Sequence, residues 1–216
     1  MAKDPSRWLV GVLPQHREVT NVNQIGKGVV VVDRKDAPEA LVGIIANDSI
    51  WELDCEALAS SSKPQPDFIV SMKNTARWQG EAIDYLESKQ IAWGKMYDLY
   101  RGLNYEKDLS AYRNPSLCFA RRLLEQHQNV CAVEWVSDLA FRLLRLRGDA
   151  IIVALSDAYE LTADAVRVAY HDLAPFDVLM KNTPYGSISS KGAAAAKELG
   201  VEICDQSSIY QVLATP

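Results

Sequence analysis

The sequence predicts an α/β protein whose mixed sheets are flanked by helices and whose chain forms two related halves. Three observations predict this. Short apolar runs of strand length alternate with amphipathic stretches of helical length along the 216 residues. Two of the runs, GKGVVVVDRK at 26–35 and AIIVALSDA at 150–158, contain at least four consecutive apolar residues, as strands buried on both faces do. The tetrapeptide Met-Lys-Asn-Thr occurs at 72–75 and again at 180–183, each time directly after a short apolar run.

The second half has the clearer succession of elements. Pro115 and Asn129 are typical of the two ends of a helix. Thr162 belongs to the residue types that cap a helix, and Gly200 to those that follow its end. The expected order is helix, three strands, helix, strand, helix and strand, at 117–129, 130–138, 140–149, 150–158, 162–173, 176–182, 189–200 and 201–205.

The first half is harder to assign. Strands are expected at 26–35, 66–74 and 91–98, and a helix is expected at 77–90. The run PEALVGII at 38–45 fits either a short helix or an added strand. The next segment, which we expect to connect the halves, contains four tyrosines: Tyr97, Tyr100, Tyr105 and Tyr112. The predicted domains are therefore a first α/β half at 1–100, a connection at 101–115 and a second α/β half at 116–216.

The repeated tetrapeptide suggests an internal duplication. At the same offset of 108 residues Phe68 coincides with Phe176, and Val70 with Val178. The strand at 26–35 is then the expected counterpart of the strand at 150–158. Coincidence is the alternative, and the matching local context favours duplication.

Composition excludes several classes of protein. Apolar residues make up 48% and charged residues 24%, which is ordinary for a globular protein. No apolar run approaches the ~20 residues of a membrane span, and the first residues become polar too soon for a secretion signal. The four cysteines are scattered, so a reducing, cytoplasmic setting is expected and structural zinc is not. A net charge of −5 argues against a DNA-coating protein and leaves room for a local basic patch.

Residues 114–205 resemble the core of the restriction-endonuclease-like, or PD-(D/E)xK, superfamily in the order of their elements. That core has a helix, a three-stranded antiparallel meander, a crossover helix and a further strand. The resemblance covers the second half well and the first half loosely, and Rossmann-like halves are the other fold that the alternation fits. The resemblance to the restriction-endonuclease-like core implies two carboxylates that hold a divalent metal and a lysine that assists the attack on a phosphate. In the second half Asp157 follows the matching strand without the required lysine, so this half is expected to be catalytically empty.

The strongest metal constellation lies in the first half. Asp33 and Lys35 form a D-x-K whose side chains share one face of a strand, and Glu18 precedes Asp33 by fifteen residues. Glu18 and Asp33 would hold Mg²⁺ or Mn²⁺ if the protein were a nuclease. If it is not a nuclease, no cofactor is expected. The alternative, which we favour, is a charged strand end that reaches water. The Pro66-Asp67 pair resembles the family's PD, but it follows the D-x-K and so lies on the wrong strand.

Both copies of the tetrapeptide stand where a strand is followed by a helix. In parallel sheets, ligands bind at the edge where the strands end and the helices begin, and the N-terminus of a helix favours an anion. The candidate ligand-binding residues are Lys73, Asn74, Lys181, Asn182 and Tyr185. Helix capping and turn formation by Asn and Thr are the alternative, which we favour. If the two lysines serve one purpose, we expect them at equivalent strand ends.

Arginines and aromatic residues supply the remaining candidates. Arg142, Arg145 and Arg147 form a basic cluster that could contact a phosphate backbone, or a solvated strand that faces acidic neighbours such as Glu134. Trp78 and Tyr185, each shortly after the tetrapeptide, could stack on bases.

The sequence thus favours a nuclease-fold protein whose catalytic site is degenerate or absent. Its expected role is to associate with nucleic acid or to act as a structural partner. The partner in the second case would be another protein or a second copy of the chain, and no membrane is expected to take part. One alternative is a module that senses a nucleotide or another anion at the paired strand ends. The other is a metal-dependent nuclease.

Overall fold

A computed structural model describes residues 4–215, and the chain divides into two compact units at 1–114 and 115–216. Each unit has its own five-stranded mixed sheet with helices around it, so the predicted fold class is confirmed. Within the described residues no helix is long and apolar enough to cross a membrane.

The first unit begins with a helix and an antiparallel meander. Its helices are α1 (Ser6–Val12), α2 (Glu52–Ser60), α3 (Gly80–Ser88) and α4 (Met96–Tyr105), with short 3-10 turns at Leu13–Gln15 and Leu109–Ala111. Its strands are β1 (Val19–Gly26), β2 (Val29–Arg34), β3 (Ala40–Ile45), β4 (Ser49–Ile50), β5 (Phe68–Ser71), β6 (Arg77–Trp78) and β7 (Ala92–Lys95).

The main sheet of the first unit has the strand order β1-β2-β3-β5-β7. The first three strands are antiparallel neighbours, and β3, β5 and β7 run parallel to one another. The short strands β4 and β6 pair separately in parallel. The core packs apolar residues of β1, β2, β3 and β5 against α1 and α4, with Phe68 and Leu99 fully buried.

The second unit repeats this plan. Its helices are α5 (Pro115–Glu125), α6 (Ala163–Leu173), α7 (Ser190–Glu198) and α8 (Ile209–Ala214). Its strands are β8 (Val130–Ser137), β9 (Ala140–Arg145), β10 (Ile151–Ser156), β11 (Val178–Lys181) and β12 (Glu202–Asp205). The sheet order is β8-β9-β10-β11-β12, with the same pattern of antiparallel and parallel pairs. All eight expected elements of this half are confirmed, and the Thr162 hydroxyl caps α6 by accepting from the Ala165 amide at 3.2 Å.

The two apolar strands are interior, as predicted, but they are not counterparts. β2 lies between β1 and β3, whereas β10 is the central strand of its sheet. By position β2 corresponds to β9, and β10 corresponds to β3, the run that the sequence left open between helix and strand. The predicted pairing of 26–35 with 150–158 is therefore wrong.

The repeated tetrapeptide also falls out of register between the units. Ser71 pairs with Ile45 at the end of β5, while Lys181 pairs with Ser156 at the end of β11. Since β3 and β10 correspond, Lys181 occupies the place of Ser71, two residues before the place of Lys73. The expectation that the two lysines stand at equivalent strand ends is wrong, because the strand pairing places Lys181 at the position of Ser71 and not at that of Lys73.

The segment predicted as a connection is folded into the first unit. α4 begins at Met96, inside the strand expected at 91–98, and continues to Tyr105. Tyr112 is buried, and its ring packs 5.9 Å from that of Phe68. The boundary between the units falls after Asn114.

Candidate functional site

Helix α4 presents a stripe of aromatic and polar side chains to solvent. Positions 97, 100, 101, 104 and 105 fall on one face because residues three and four apart are neighbours on a helix. The opposite face carries Leu99 and Leu103 into the core. Tyr97 is 68% exposed and Tyr105 is 74% exposed. Rings so exposed contribute little to the core, so a role in contacting another molecule suits them better.

This stripe lines a cleft of about 250 Å³, which we call the tyrosine cleft; its lining residues are Tyr97, Tyr100, Arg101, Asn104 and Tyr105. Tyr100 is fixed from behind, because its ring stacks on that of His16 with centroids 5.1 Å apart and planes 10° from parallel. Burial lowers the pKa of His16, which favours the neutral imidazole in this stack.

A buried carboxylate anchors the N-terminal end of α4. Asp98 Oδ2 accepts from the Lys95 amide at 2.9 Å, which caps the first turn. Its Oδ1 accepts from the Tyr112 hydroxyl at 2.8 Å and from Asn114 Nδ2 at 2.9 Å. Burial beside this carboxylate raises the pKa of Tyr112, so the phenol stays a hydrogen-bond donor. The helix that presents the tyrosines is thereby tied to the end of its own unit.

A buried arginine meets the C-terminal end of α4. Arg34 is 9% exposed, and it donates through Nη1 to the Lys107 carbonyl at 2.9 Å and through Nη2 to the carbonyls of Leu103 and Glu106. The last carbonyls of a helix have no partner within it and carry the negative end of its dipole, which is why a cation is stable there. Burial lowers the pKa of Arg34, and the charges of Asp108, Asp67 and Glu18 oppose that shift.

Arg34 lines a second cleft, also of about 250 Å³, which we call the arginine cleft; its other lining residues are Glu18, Lys35, Asp36, Ala37, Leu103, Asn104, Tyr105, Glu106 and Lys107. The two clefts share Asn104 and Tyr105, and together they form what we call the α4 groove. Four positively and three negatively charged side chains line the groove, in a chain whose net charge is −5. The groove is therefore less acidic than the protein as a whole.

The predicted metal constellation is divided in the structure. Glu18 and Lys35 both line the arginine cleft. Asp33 does not line it, because successive strand residues point to opposite faces and Arg34 takes the inward direction. Its Oδ2 instead accepts from Asn21 Nδ2 at 2.9 Å. Within residues 4–215 no group of three or more His, Cys, Asp or Glu side chains could hold a metal ion.

Asp67, the acid of the Pro66-Asp67 pair, has a structural place. Its carboxylate accepts from the Leu41 amide of the neighbouring strand at 2.7 Å. Asp177, at the matching place in the second unit, accepts from the Ile152 amide at 2.7 Å. Both carboxylates therefore extend the pairing of two parallel strands.

The two lysines of the tetrapeptides have different surroundings. Lys73 lies in the loop after β5 and pairs with Asp48, with Nζ and Oδ1 2.8 Å apart, and Asn74 beside it is exposed. Lys181 is only 2% exposed, and its ammonium group donates to the carbonyls of Thr183, at 2.6 Å, and Tyr185. Lys73 therefore forms a surface ion pair, whereas Lys181 holds the loop that leads to α7.

Lys181 also lines a cleft of about 190 Å³ in the second unit, which we call the lysine cleft; its other lining residues are Thr183, Pro184, Gly186, Ser187, Ile188, Asp205, Gln206 and Ser207. Asn182 beside it is buried and donates to Asp157 Oδ1 at 3.2 Å, while its carbonyl accepts from Gln206 Nε2 at 2.8 Å. The hydroxyls of Ser207 and Ser208 donate to Asp205 and lower its pKa to about 2. This cleft thus carries one ammonium and one carboxylate.

The basic cluster is dispersed. Arg142 is exposed on β9, opposite Glu134 of β8, as the alternative interpretation expected. Arg145 is held by the carbonyls of Asp149 and Thr215, at 2.7 and 2.8 Å. Arg147 lies beyond the end of β9.

The two aromatic candidates differ in accessibility. Trp78 is fully buried with its ring 5.5 Å from that of Trp93, so its predicted role in stacking on bases is wrong. Tyr185 is 72% exposed and can meet a ligand.

Sequence reasoning missed the α4 groove because it assigned the tyrosines to a connection. The spacing of Tyr97, Tyr100, Arg101 and Tyr105 was the signal that could have found it, since it is the spacing of one helix face. No protein-family model, no curated protein and no solved structure matched the chain.

Proposed function

We propose that the protein associates with nucleic acid, without cleaving it, through the α4 groove of the first unit. The observation that carries this proposal is the row of exposed tyrosines on α4, interleaved with Arg101 and continued by the cations of the arginine cleft. Aromatic rings beside a basic track are the combination by which proteins hold single strands, because every base has a face that can stack.

The geometry favours unpaired nucleotides over a duplex. Tyr97 and Tyr105 present their rings on the surface of a helix, and a base reaches such a ring only when it leaves its own stack. Arg101, Lys35 and Lys107 are placed to meet phosphates on either side. Each stacked base contributes ~1–3 kcal/mol, so two tyrosines and a few cations suffice for measurable binding.

The order of elements gives this proposal a second, weaker support. Each unit has a helix, an antiparallel meander, a crossover helix and a further strand. This is the order of elements on which the resemblance of the sequence to the restriction-endonuclease-like core rests. In the first unit Asp33 does not line the arginine cleft with Glu18 and Lys35, and it accepts a hydrogen bond from Asn21 instead. Binding without catalysis is the activity that this arrangement of side chains supports best.

Fluorescence anisotropy with labelled single-stranded DNA and RNA of about a dozen nucleotides tests the proposal. The double substitution Tyr97→Ala/Tyr105→Ala is expected to weaken binding at least tenfold, since two stacking contacts are lost. Arg101→Ala is expected to weaken binding and to reduce the slope of log K against log salt by about 0.7, the value for one phosphate contact in a single strand.

Matched controls come from the same chain. Tyr159→Ala removes a tyrosine that is 72% exposed in the second unit, and Lys27→Ala removes an exposed cation of the first unit that lies outside the groove. Both variants should bind as the unaltered protein does. Loss of binding in Arg142→Ala but not in Arg101→Ala would move the interface to β9 and contradict the proposal. If no oligonucleotide binds, while the double tyrosine variant changes the oligomeric state, the groove is a protein-docking surface.

A second candidate is anion binding at the lysine cleft, which the buried ammonium of Lys181 favours. The two groups that accept hydrogen bonds from it are neutral carbonyls, and an ammonium group has three N–H donors, so one donor stays available to an anion in the cleft. Isothermal titration with inorganic phosphate and with nucleoside monophosphates tests this candidate. Lys181→Met should abolish the binding, Lys73→Met should leave it unchanged, and equal binding by all three proteins would exclude it.

A further inference from the structure

The tyrosine cleft is lined by hydrogen-bond donors that the described residues leave unused. The guanidinium of Arg101 forms no hydrogen bond and no ion pair with any residue at 4–215, and the hydroxyls of Tyr97, Tyr100 and Tyr105 form no hydrogen bond with one either. Tyr97 and Tyr105 are mostly exposed. The nitrogens of Arg101 and the Tyr100 hydroxyl are not among the buried atoms that lack a partner in this part of the chain, so solvent reaches them. A ligand that enters the cleft can therefore meet these donors directly.

The lining of the cleft favours an anion. Its five lining residues include one cation and no carboxylate, and polar atoms form most of its accessible surface. Arg101 presents its N–H donors in a planar fork that fits two oxygens of one phosphate, and each phenol can donate one O–H. Burial raises the pKa of Tyr100, so that phenol keeps its proton. Phosphate oxygens are therefore the acceptors that suit this set of side chains best.

The supply of donors favours a phosphate at the end of a strand over one that links two nucleotides. A terminal phosphate is a monoester, which carries about −1.5 to −2 charges at pH 7 and has three free oxygens. A linking phosphate carries one negative charge, and two of its oxygens are occupied by ester bonds. Since hydrogen bonds to charged groups are the strong ones, four donor groups in one cleft gain more from the monoester.

We propose that the tyrosine cleft binds the terminal phosphate of a nucleic-acid strand, with Arg101 as its bidentate partner and the tyrosine hydroxyls as further donors. The inference rests on the proposed function, because it adds recognition of a strand end to a groove that holds the strand by stacking and charge. A tyrosine can serve both purposes, since its ring face stacks while its hydroxyl lies at the ring edge. The arginine cleft shares Tyr105 with the tyrosine cleft, so it is placed to contact the nucleotides next to that end.

The test measures how a terminal phosphate changes the affinity of oligothymidylate dodecamers that carry a fluorophore on an internal thymine. One dodecamer has hydroxyls at both ends, a second has a 5′-phosphate and a third has a 3′-phosphate. The ratio of the affinities of a phosphorylated and the unphosphorylated dodecamer isolates the end, because contacts to the rest of the strand cancel in it. For the unaltered protein we expect a ratio of at least about tenfold at one of the two ends, the size of charge-assisted hydrogen bonds to one phosphate.

Two variants locate the strand end in the tyrosine cleft. Arg101→Gln removes the charge and the fork, and it should bring the ratio close to one. Tyr100→Phe keeps the ring that stacks on His16 and removes only a hydroxyl, so it should lower the ratio about threefold or more, the effect of one lost hydrogen bond. Lys27→Gln and Tyr159→Phe remove an exposed cation and an exposed hydroxyl outside the groove, and both should retain the full ratio.

The outcomes separate recognition of a strand end from the proposed function. If the unphosphorylated dodecamer binds and the two phosphorylated dodecamers bind no better, end recognition is wrong while the proposed function stands. The same conclusion follows if Arg101→Gln keeps the full ratio, or if Lys27→Gln lowers it as much as Arg101→Gln does. If none of the three dodecamers binds the unaltered protein, the proposed function fails and end recognition fails with it. A partly unfolded variant loses affinity for all three dodecamers alike, so a lost ratio does not come from unfolding, and Tyr100→Phe decides if Arg101→Gln does not fold.

Discussion

At the scale of single residues, four carboxylates of this protein hold its backbone in place. Asp67 and Asp177 accept amide hydrogens of neighbouring strands, and Asp98 and Asp205 organise the ends of β7 and β12. A carboxylate that accepts several N–H and O–H groups is held in one orientation and has fewer lone pairs left for a metal ion. This explains why acids that look catalytic in the sequence become structural in the fold.

We expect Asp98→Ala to destabilise the first unit by about 3 kcal/mol. The change removes the acceptor of three hydrogen bonds at a buried place and leaves the Tyr112 hydroxyl and the Lys95 amide without their partner. Urea denaturation followed by tryptophan fluorescence measures the loss. Glu39→Ala removes an exposed carboxylate of the same unit and should stay within ~0.5 kcal/mol of the unaltered protein. Equal effects of the two changes would contradict this account of Asp98.

Asp205 predicts a dependence of stability on pH. Hydrogen bonds from Ser207 and Ser208 lower its pKa to about 2 in the folded state, against ~4 for an unfolded aspartate. A lowered folded-state pKa means that the carboxylate stabilises the fold above pH ~4 and that this contribution is lost as the pH falls towards about 2. The difference in unfolding free energy between the unaltered protein and Asp205→Asn should therefore be constant from pH 7 to 5 and shrink below pH ~4. A difference that is independent of pH would show that the turn does not hold the ionised form.

We expect no strong cleavage of DNA or RNA in the presence of Mg²⁺ or Mn²⁺. The physical reason is that Asp33 accepts a hydrogen bond from Asn21 and does not line the arginine cleft with Glu18 and Lys35, and that within residues 4–215 no group of three or more His, Cys, Asp or Glu side chains could hold a metal ion. A gel assay with both metals and with single- and double-stranded substrates checks this. Metal-dependent cleavage that disappears in Lys35→Ala would reinstate the alternative of a metal-dependent nuclease.

At the scale of elements, close backbone contact decides where a glycine is needed. Gly192 lies in α7, where a Cβ atom would stand 2.1 Å from the Leu161 carbonyl oxygen. Gly11 lies in α1 with nothing within 4 Å of the place of its Cβ. The same substitution should therefore have opposite signs in the two helices.

Gly192→Ala should destabilise the second unit by ~1–3 kcal/mol, because overpacking against a backbone atom outweighs the gain in helix propensity. Gly11→Ala should stabilise the first unit by up to ~1 kcal/mol, because only the propensity changes. Thermal melting of both variants measures the signs. Stabilisation by both alanines would mean that α7 and the loop at Leu161 are less closely packed than the structure has them.

Four helices of the structure, α1, α2, α4 and α8, were not predicted, and the last three of these lacked a sequence signal for different reasons. α2 has little separation of apolar from polar faces, and Trp51, the N-cap before its first residue, is not a usual capping residue. The Trp51 amide donates to Asp54 Oδ2. α4 follows β7 without a turn, so its start was absorbed into the strand. α8 has only six residues, too few for a helical period to be recognised.

At the scale of the whole molecule, each unit closes its own sheet over its own hydrophobic core. The two units have the same order of elements and the same order of strands, while their residues align with offsets that vary along the chain. That the units arose by duplication stays a prediction.

Net charge sets how the proposed binding should respond to salt. With −5 overall, the chain repels polyanions except near the groove, so only the few cations there release counterions. We expect a slope of log K against log salt between about −0.7 and −2 for single strands, which corresponds to one to three phosphate contacts. Anisotropy titrations over a range of NaCl concentrations measure it. A slope near −5 would require more phosphate contacts than the groove provides, and would place binding elsewhere on the chain.

The sequence by itself determined the fold class, the elements of the second half up to residue 205 and the interior position of the strands at 29–33 and 151–155. These features depend on hydrophobic periodicity and capping residues, which act over a few neighbouring positions. Only the tertiary structure decided the register of the two tetrapeptides, because strand pairing with β3 and β10 fixes where β5 and β11 end. It also decided the α4 groove, whose residues come from positions 18, 34–37 and 97–107. No local pattern joins those segments, since they meet only when the buried guanidinium of Arg34 reaches the carbonyls at the end of α4.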